Sequence, residues 1–506
     1  MYKKNILFRL FIEKFVLPLQ CQKHKIIIIM VGREREIAEL LALCDSNESQ
    51  FCAVFGRRRV GKTFLVRETF KNRFAFYHTG LANATKKEQQ AEFKESLRRY
   101  GLKKARIPRS WYDAFHQLEA LLEQSEDNKK IIFIDELPWM DSPNSNFISA
   151  LEHFWNGWAN MRNDIVLIIC GSATSWMINN ILNNHGGLYG RITHQIHLQP
   201  FSLYECEQYL GTMNISLSRK EIIEAYMILG GVPYYWSYMQ RGMSLAQNID
   251  NMFFRAGAPL KNEFTSLYRS LFRRPEGYIA IVEALTRRKS GMRREEILKD
   301  TKLDDNNTFV RQLTELEQCG FIRSYHKIGQ KKKDTLFQLM DNFTLFYYQY
   351  IQTNELNDEH YWTNTLTNAR HNTWAGLAFE RVCFQHIEQI KQKLGILGIT
   401  SQVYSFTYRP QIEEDPEWAV QIDMLIDRKD GIINLCEIKY ANDDFLTTET
   451  EERQMRKRIS CVQQRAKTKH SVHTVLITTY GVVNNTYSHI FQKIITANDL
   501  FLPIQT

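Results

Sequence analysis

The sequence predicts an α/β protein: a parallel sheet in the N-terminal half, a mostly helical middle, and a second, smaller α/β unit at the C-terminus. Three observations predict it. Wholly apolar short runs at 51–55, 131–134 and 165–170 read as strands buried on both faces, as parallel sheets require. They alternate with segments of helical spacing, the order of a repeating strand–helix sheet. Beyond residue 400, apolar–polar alternation returns in two runs joined by the turn-type stretch Arg428-Lys429-Asp430-Gly431. The length of 506 residues is consistent with roughly three domains of about 150 residues. With 44% apolar and 24% charged residues, the composition excludes a disordered, collagen-like or multi-span membrane chain. A net charge of +9 permits a polyanionic partner without demonstrating one. The nine cysteines contain no C-x-x-C pair, which argues against a zinc ribbon and for a reducing, cytoplasmic location.

At the N-terminus, residues 1–29 mix apolar residues with Lys3, Lys4, Arg9, Glu13 and Lys14. Glu13 and Lys14 interrupt the apolar run that a signal peptide needs. No stretch approaches the roughly 20 apolar residues of a spanning helix, so no membrane partner is expected. Two accounts fit: an upstream gene-start artefact with translation from near Met30, or an amphipathic extension. Val31-Gly32-Arg33-Glu34 then opens the first domain.

The run at 51–55 passes directly into Gly56-Arg57-Arg58-Arg59-Val60-Gly61-Lys62-Thr63, and a helix-compatible stretch follows at 64–70. Strand, G-x-x-x-x-G-K-[ST], helix is the context of a phosphate-binding loop. Its glycines admit backbone conformations that a side chain would hinder. Successive N–H groups and the helix N-terminus then surround phosphates. Lys62 would reach the β- and γ-phosphates of ATP, and Thr63 would ligate Mg²⁺. The strand at 131–134 ends in Asp135 and Glu136. Asp135 is placed to hold Mg²⁺, directly or through water, and Glu136 to polarise the attacking water. The strand at 165–170 ends in Gly171-Ser172-Ala173-Thr174, where Ser172 and Thr174 are candidate γ-phosphate sensors or simple helix caps. Further strands are expected at 74–78 and 193–198. Arg191, just before the last, is a candidate for stabilising γ-phosphate charge or an ordinary surface arginine.

Val31-Gly32-Arg33-Glu34, the 56–63 loop, Ile134-Asp135-Glu136-Leu137-Pro138-Trp139, Gly171-Ser172 and Leu229-Gly230-Gly231-Val232-Pro233-Tyr234 together resemble an archaeal and bacterial P-loop ATPase family of the STAND branch. The resemblance extends from Val31 to the C-terminus. It implies ATP binding, a P-loop NTPase sheet of the additional-strand type, and nucleotide-driven switching. In that sheet the P-loop strand lies next to the neighbour of the Asp135 strand.

The middle reads as helices over 202–241 and 253–272. Helices at 277–286, 293–299 and 305–317 follow, the last capped by Asp304 or Asp305. Strands at 321–325 and 335–340 flank a basic tip, 327–333. Three helices and a hairpin make a winged-helix pattern. Its basic tip suits phosphate contact. Its third helix, with Glu315 and Glu317 beside Arg311 and Gln312, does not suit base reading. In proteins of the STAND type such an element often serves as a structural lid, so lid and DNA contact both stand as readings. The aromatic run Phe346-Tyr347-Tyr348-Gln349-Tyr350 reads as helix core.

In the last third, a helix at 374–390 carries Glu380, a strand is expected at 402–406, and the strand at 420–427 carries Asp423. The next, 432–440, carries Glu437 and Lys439 on one face, because a strand has period two. This order resembles the PD-(D/E)xK, restriction-endonuclease-like fold. The usual proline is absent, since Gln421-Ile422 precedes Asp423. The resemblance implies Mg²⁺ or Mn²⁺ on Asp423 and Glu437, with Glu380 completing the acidic cluster and Lys439 positioning or deprotonating water. A cross-strand Glu–Lys ion pair is the plain alternative. A following helix carries Arg453, Arg456, Lys457, Arg458, Arg465, Lys467 and Lys469, which suits a nucleic-acid backbone.

The expected organisation is therefore 1–29 extension, 30–200 ATPase core, 201–275 helical segment, 276–350 winged helix and 370–506 nuclease-like domain. The expected function is an ATP-dependent switch whose nuclease-like effector binds or cuts DNA, with homo-oligomers on ATP binding. The alternative is an ATP-dependent scaffold whose nuclease-like domain is inactive and binds a protein.

Overall fold

The computed structural model describes residues 30–504 apart from 72, 184–185, 273, 327–333, 355–356, 367, 409–418 and 466–468. The extension 1–29, the basic tip 327–333 and Lys467 thus lie outside the described residues. After helix α1 (Glu34–Asp45) come β1 (Gln50–Phe55), α2 (Lys62–Phe70), β2 (Phe76–Thr79), α3 (Lys86–Arg99), α4 (Trp111–Glu123), β3 (Lys130–Asp135), α5 (Phe147–Gly157), β4 (Ile165–Gly171) and β5 (His194–His197). The five strands form a parallel sheet in the order β2-β3-β4-β1-β5. One strand, β4, therefore separates the phosphate-loop strand β1 from β3, which ends in Asp135. Every residue of β1, β3 and β4 is buried, because helices cover both faces. The edge strand β5 buries only Ile196 and is shorter than expected.

The middle helices start where side chains can cap them. Ser202, Ser218 and Ser244 each accept a bond from the third helical N–H of α6 (Leu203–Thr212), α7 (Arg219–Leu229) and α8 (Leu245–Phe253), and Glu205, Glu221 and Gln247 reach back. Between α7 and α8, a side chain at Gly231 would lie 1.8 Å from the Phe201 carbonyl oxygen, so only glycine fits there. Next come α9 (Glu263–Leu271), α10 (Glu276–Thr286), β6 (Met292–Arg293), α11 (Arg294–Thr301), α12 (Asn307–Gln318), β7 (Ile322–Tyr325) and β8 (Leu336–Leu339). The three strands form an antiparallel sheet in the order β6-β8-β7. The cap of α12 is Asn306, not Asp304 or Asp305. Its extended backbone (φ −139°) aims the side-chain oxygen at the N–H groups of Thr308 and Phe309.

The aromatic run turns inward. Phe346 and Tyr350 pack with Trp362 and Trp374, the Tyr350, Trp362 and Trp374 rings lying 5.0–5.4 Å apart, centroid to centroid. Helix α13 (Ala369–Gln385) begins earlier than expected and stops at His386, where α14 (Ile387–Leu394) takes over. The break has a tertiary cause: the His386 ring accepts from the Leu203 N–H at 2.9 Å and bonds the Val382 carbonyl at 2.8 Å. The second five-stranded sheet, β13-β12-β11-β10-β9, is mixed. It comprises β9 (Ser401–Tyr408), β10 (Val420–Arg428), β11 (Ile432–Lys439), β12 (Ser471–Thr478) and β13 (Lys493–Thr496). β9, β10 and β11 pair antiparallel, and β12 and β13 continue parallel to β11. Helix α15 (Glu449–Arg465) lies between β11 and β12 in sequence.

One face of this sheet, including Met424, Ile426, Cys436 and Ile477, shares a core with the middle helices and α13. The other, including Ile422, Leu425 and Leu435, packs on Met455, Cys461 and Val462 of α15. Val31–Thr506 forms one compact unit.

Candidate functional site

The phosphate loop leaves β1 at Gly56, whose φ of +143° and whose approach to the Leu198 carbonyl leave no room for a side chain. It enters α2 through Gly61, also left-handed at +93°. Lys62 is buried, and its ammonium donates to the carbonyls of Gly56 and Arg57, each at 2.9 Å. Burial pushes its pKa down. The Thr63 hydroxyl donates to Asp135 Oδ2 at 2.7 Å, which brings together the hydroxyl of α2 and the carboxylate closing β3. Burial and the adjacent Glu136 push Asp135 up. No cationic side chain pairs with Asp135 among the described residues, and a carboxylate–hydroxyl pair of this kind fits Mg²⁺.

Glu136 adopts a left-handed backbone (φ +49°), which turns its carboxylate toward the end of β4. There the Ser172 hydroxyl donates to it at 2.6 Å and the Ser172 N–H at 3.4 Å. The Thr174 hydroxyl is buried without a hydrogen-bond partner among the described residues. Arg191 is exposed. A cleft of about 1170 Å³ adjoins this point, lined by Arg58, Glu136, Trp139, Ser172, Arg269 and Arg311 among others.

The loop's other arginines turn away from it. Arg57 pairs with Asp341, just after β8, and its guanidinium lies 5.0 Å from the Phe321 ring. Burial alone would lower the Arg57 pKa, but Asp341 outweighs it and raises the value. Arg59 pairs with Glu263 of α9 and stacks 4.1 Å over Tyr234. Neither partner carries a sequence signal, since they lie some 200 to 280 residues away.

In the C-terminal sheet, a bulge between Ile422 and Leu425 re-aims the strand at Asp423. Asp423 Oδ2 accepts from the Ile438 N–H at 3.1 Å. Its other oxygen lies 3.4 Å from the Lys289 ammonium, which also contacts Glu380. Burial, then the neighbouring Asp423, pushes Glu380 up to about 8 against the pull of Lys289. Glu437 is buried and pairs with Lys439 at 3.0 Å and Arg458 at 2.9 Å. Burial and Asp423 push Glu437 up. Arg458 thus faces inward rather than toward a ligand surface, and Arg456 pairs with Glu452 on its own helix. Among the described residues no three His, Cys, Asp or Glu side chains gather so as to hold a metal ion. Lys289, on the turn after α10, was not legible: it is one cation in the run Arg287-Arg288-Lys289.

Among the described residues, no helix is long and apolar enough to cross a membrane. An uncharacterized protein of Methanocaldococcus jannaschii is 27% identical over 368 residues, 72% of this chain and 78% of that protein. Among solved structures, a Walker-type ATPase of Pyrococcus abyssi aligns with a TM-score of 0.46 and 18% identity, over 64% of this chain and 98% of its own. The Aeropyrum pernix ORC2 protein aligns with a TM-score of 0.41 and 13% identity, over 68% and 98%. Residues 30–239 match the model of an ATPase domain found predominantly in Archaea. That match starts one residue before Val31, runs through both the phosphate loop and the Asp135 strand end, and makes this protein an ATPase of the P-loop class.

Proposed function

We propose that the chain is a STAND-type ATP-driven switch whose C-terminal domain is a PD-(D/E)xK nuclease-like effector acting on or binding DNA. The buried Arg57–Asp341 pair carries this reading, because it joins the phosphate loop to the segment from which the C-terminal domain hangs. In the proposed chemistry, Lys62 exchanges its carbonyl acceptors for the β- and γ-phosphates, and Thr63 and Asp135 hold Mg²⁺. Bound there, Mg²⁺ neutralises charge on the phosphate oxygens. Glu136 accepts the proton of the attacking water, and Ser172 fixes its carboxylate. Thr174 and Arg191 have no such geometric support.

The nuclease-like reading is supported by the order α13, three antiparallel strands, α15 and a parallel strand. Glu380, Asp423 and the Glu437/Lys439 pair stand on the elements that fold requires. Helices α10–α12 with the β6-β8-β7 sheet support the winged-helix reading, and as a lid rather than a base reader. Glu315 and Glu317 are occupied by the Tyr278 hydroxyl and the Ser324 N–H. A cytoplasmic location, ATP-dependent homo-oligomers and the division 30–200, 201–275, 276–350 and 370–506 complete the proposal.

Two experiments test it. Lys62→Ala should abolish ATP binding in calorimetric titration, and unchanged affinity would refute the nucleotide assignment. Linear and supercoiled DNA incubated with ATP and Mg²⁺ or Mn²⁺ should be cut by the wild type and not by Asp423→Ala. The second reading, an ATP-dependent scaffold with an inactive nuclease-like domain, is favoured by one observation: Glu380 and Asp423 already share the Lys289 ammonium. ATP-dependent oligomers without metal-dependent cleavage would select it.

A further inference from the structure

The three successive cations after α10 have different fates. Arg287 pairs with Glu283 at 3.4 Å and Arg288 with Glu296, both within the same local segment. Lys289 instead crosses to the C-terminal domain and bridges Glu380 and Asp423. Its position is not left to a flexible side chain alone. The turn that carries it is held at three points. The Gln338 amide of β8 donates to the Lys289 carbonyl at 2.7 Å, and the Tyr325 hydroxyl of β7 donates to the Ser290 carbonyl at 2.5 Å. At Gly291 (φ +74°) any side chain would meet the Phe337 carbonyl oxygen at 2.6 Å. Both carboxylates that Lys289 contacts are largely buried, 13% exposed each. A single ammonium between two such carboxylates occupies the place between them and supplies one of the two positive charges that a divalent cation would bring.

We propose that Lys289 is a tethered counter-ion that shuts the Glu380–Asp423 pair against divalent cations, so that the nuclease-like site opens only when its turn withdraws. This rests on the metal-dependent reading of Glu380, Asp423 and Glu437. The turn is also positioned to respond to the nucleotide site. β8 anchors Lys289 through Gln338 and continues within three residues to Asp341, the partner of Arg57 in the phosphate loop. The adjoining Arg381 and Gln385 of α13 bond the carbonyls of Leu339 and Met340, so Glu380 and its lysine are mounted on the same strand.

The test is Mn²⁺ binding to the full chain, read as free Mn²⁺ by electron paramagnetic resonance. Wild type is compared with Lys289→Met, Lys289→Gln, Asp423→Asn and the double variant Lys289→Gln/Asp423→Asn. None of these touches the phosphate loop, so Mn²⁺ at Thr63 and Asp135 contributes equally to all. Lys289→Gln keeps a hydrogen-bond donor between the carboxylates should Lys289→Met fail to fold. The expected result is a Mn²⁺ site about tenfold tighter or more in the Lys289 variants than in wild type, lost in the double variant. Mn²⁺ should also raise the melting temperature of Lys289→Gln more than that of wild type. Equal Mn²⁺ binding in wild type and the Lys289 variants overturns the proposal. If Asp423→Asn then still removes a Mn²⁺ site, only the role of Lys289 falls. If Asp423→Asn changes nothing, the metal-dependent reading falls with it.

Discussion

Glu136 shows how little a side chain's identity says without its support. A carboxylate at a strand end is common, but here a left-handed backbone and the Ser172 hydroxyl fix where it points. Ser172→Ala leaves only the 3.4 Å N–H contact. We expect kcat for ATP hydrolysis to fall about tenfold to a hundredfold with ATP affinity unchanged. Steady-state hydrolysis and nucleotide titration check this together, and a matching loss of affinity would place Ser172 on the nucleotide instead. Lys62, Thr63 and Asp135 were legible because loop spacing and strand ends are local features. The Glu136–Ser172 contact was not, because it depends on how β3 and β4 lie side by side.

Elements were read well where their cause is local. Buried apolar runs became β1, β3 and β4 because helices flank them on both sides, and the expected helical stretch 202–241 opens at its cap Ser202. Helix α8 falls almost wholly between the expected stretches 202–241 and 253–272, although Ser244 and Gln247 mark its start. The start of α12 was misread by one or two residues because four polar residues in a row, Asp304 to Asn307, each qualify as a cap. The backbone selects Asn306, whose side chain accepts from both Thr308 and Phe309. Asn306→Ala should lower stability by about 1 kcal/mol, and Asn306→Asp should restore most of it, as thermal melting would show. The expected 374–390 helix is split because His386 leaves helical geometry to meet Leu203, some 180 residues away. Periodicity carries no trace of such a partner.

Across the whole molecule, buried polar contacts tie the ATPase core to the middle and C-terminal segments. Asp341→Asn keeps a side-chain acceptor for the Thr344 N–H but removes the charge that matches buried Arg57. It should cost about 3 kcal/mol, because an unpaired buried guanidinium remains. Arg57→Met/Asp341→Leu, which removes both charges, should cost less in urea denaturation; an equal loss would mean that packing, not charge, sets the cost. His386 supplies a pH signature. Burial lowers its pKa to about 4, whereas the unfolded ring titrates near its ordinary value of about 6.5. Between those values unfolding takes up a proton, so stability is full above about 6.5 and declines as pH falls toward 4, by up to about 1.4 kcal/mol per pH unit. His386→Gln should flatten that slope in melting curves measured across this window. An unchanged slope would assign the acid sensitivity to other groups, His78 first, since burial lowers its pKa to about 3.

The sequence by itself determined the parallel sheet, the phosphate loop, the acidic strand end and the strand order around Asp423 and Glu437. Each follows from backbone sterics and burial over a few consecutive residues. Only the tertiary structure decided where the charges go. It sends Arg57 to Asp341, Arg59 to Glu263, Arg458 to Glu437, and Lys289 to the two carboxylates of the C-terminal domain. These pairs leave the net charge of +9 as it is, since each consumes at least one acidic group for every basic one, but they turn inward cations that the sequence alone does not distinguish from surface ones. The physical reason is that an ion pair depends on distance in space and on local water, neither of which is written in the spacing of residues along the chain.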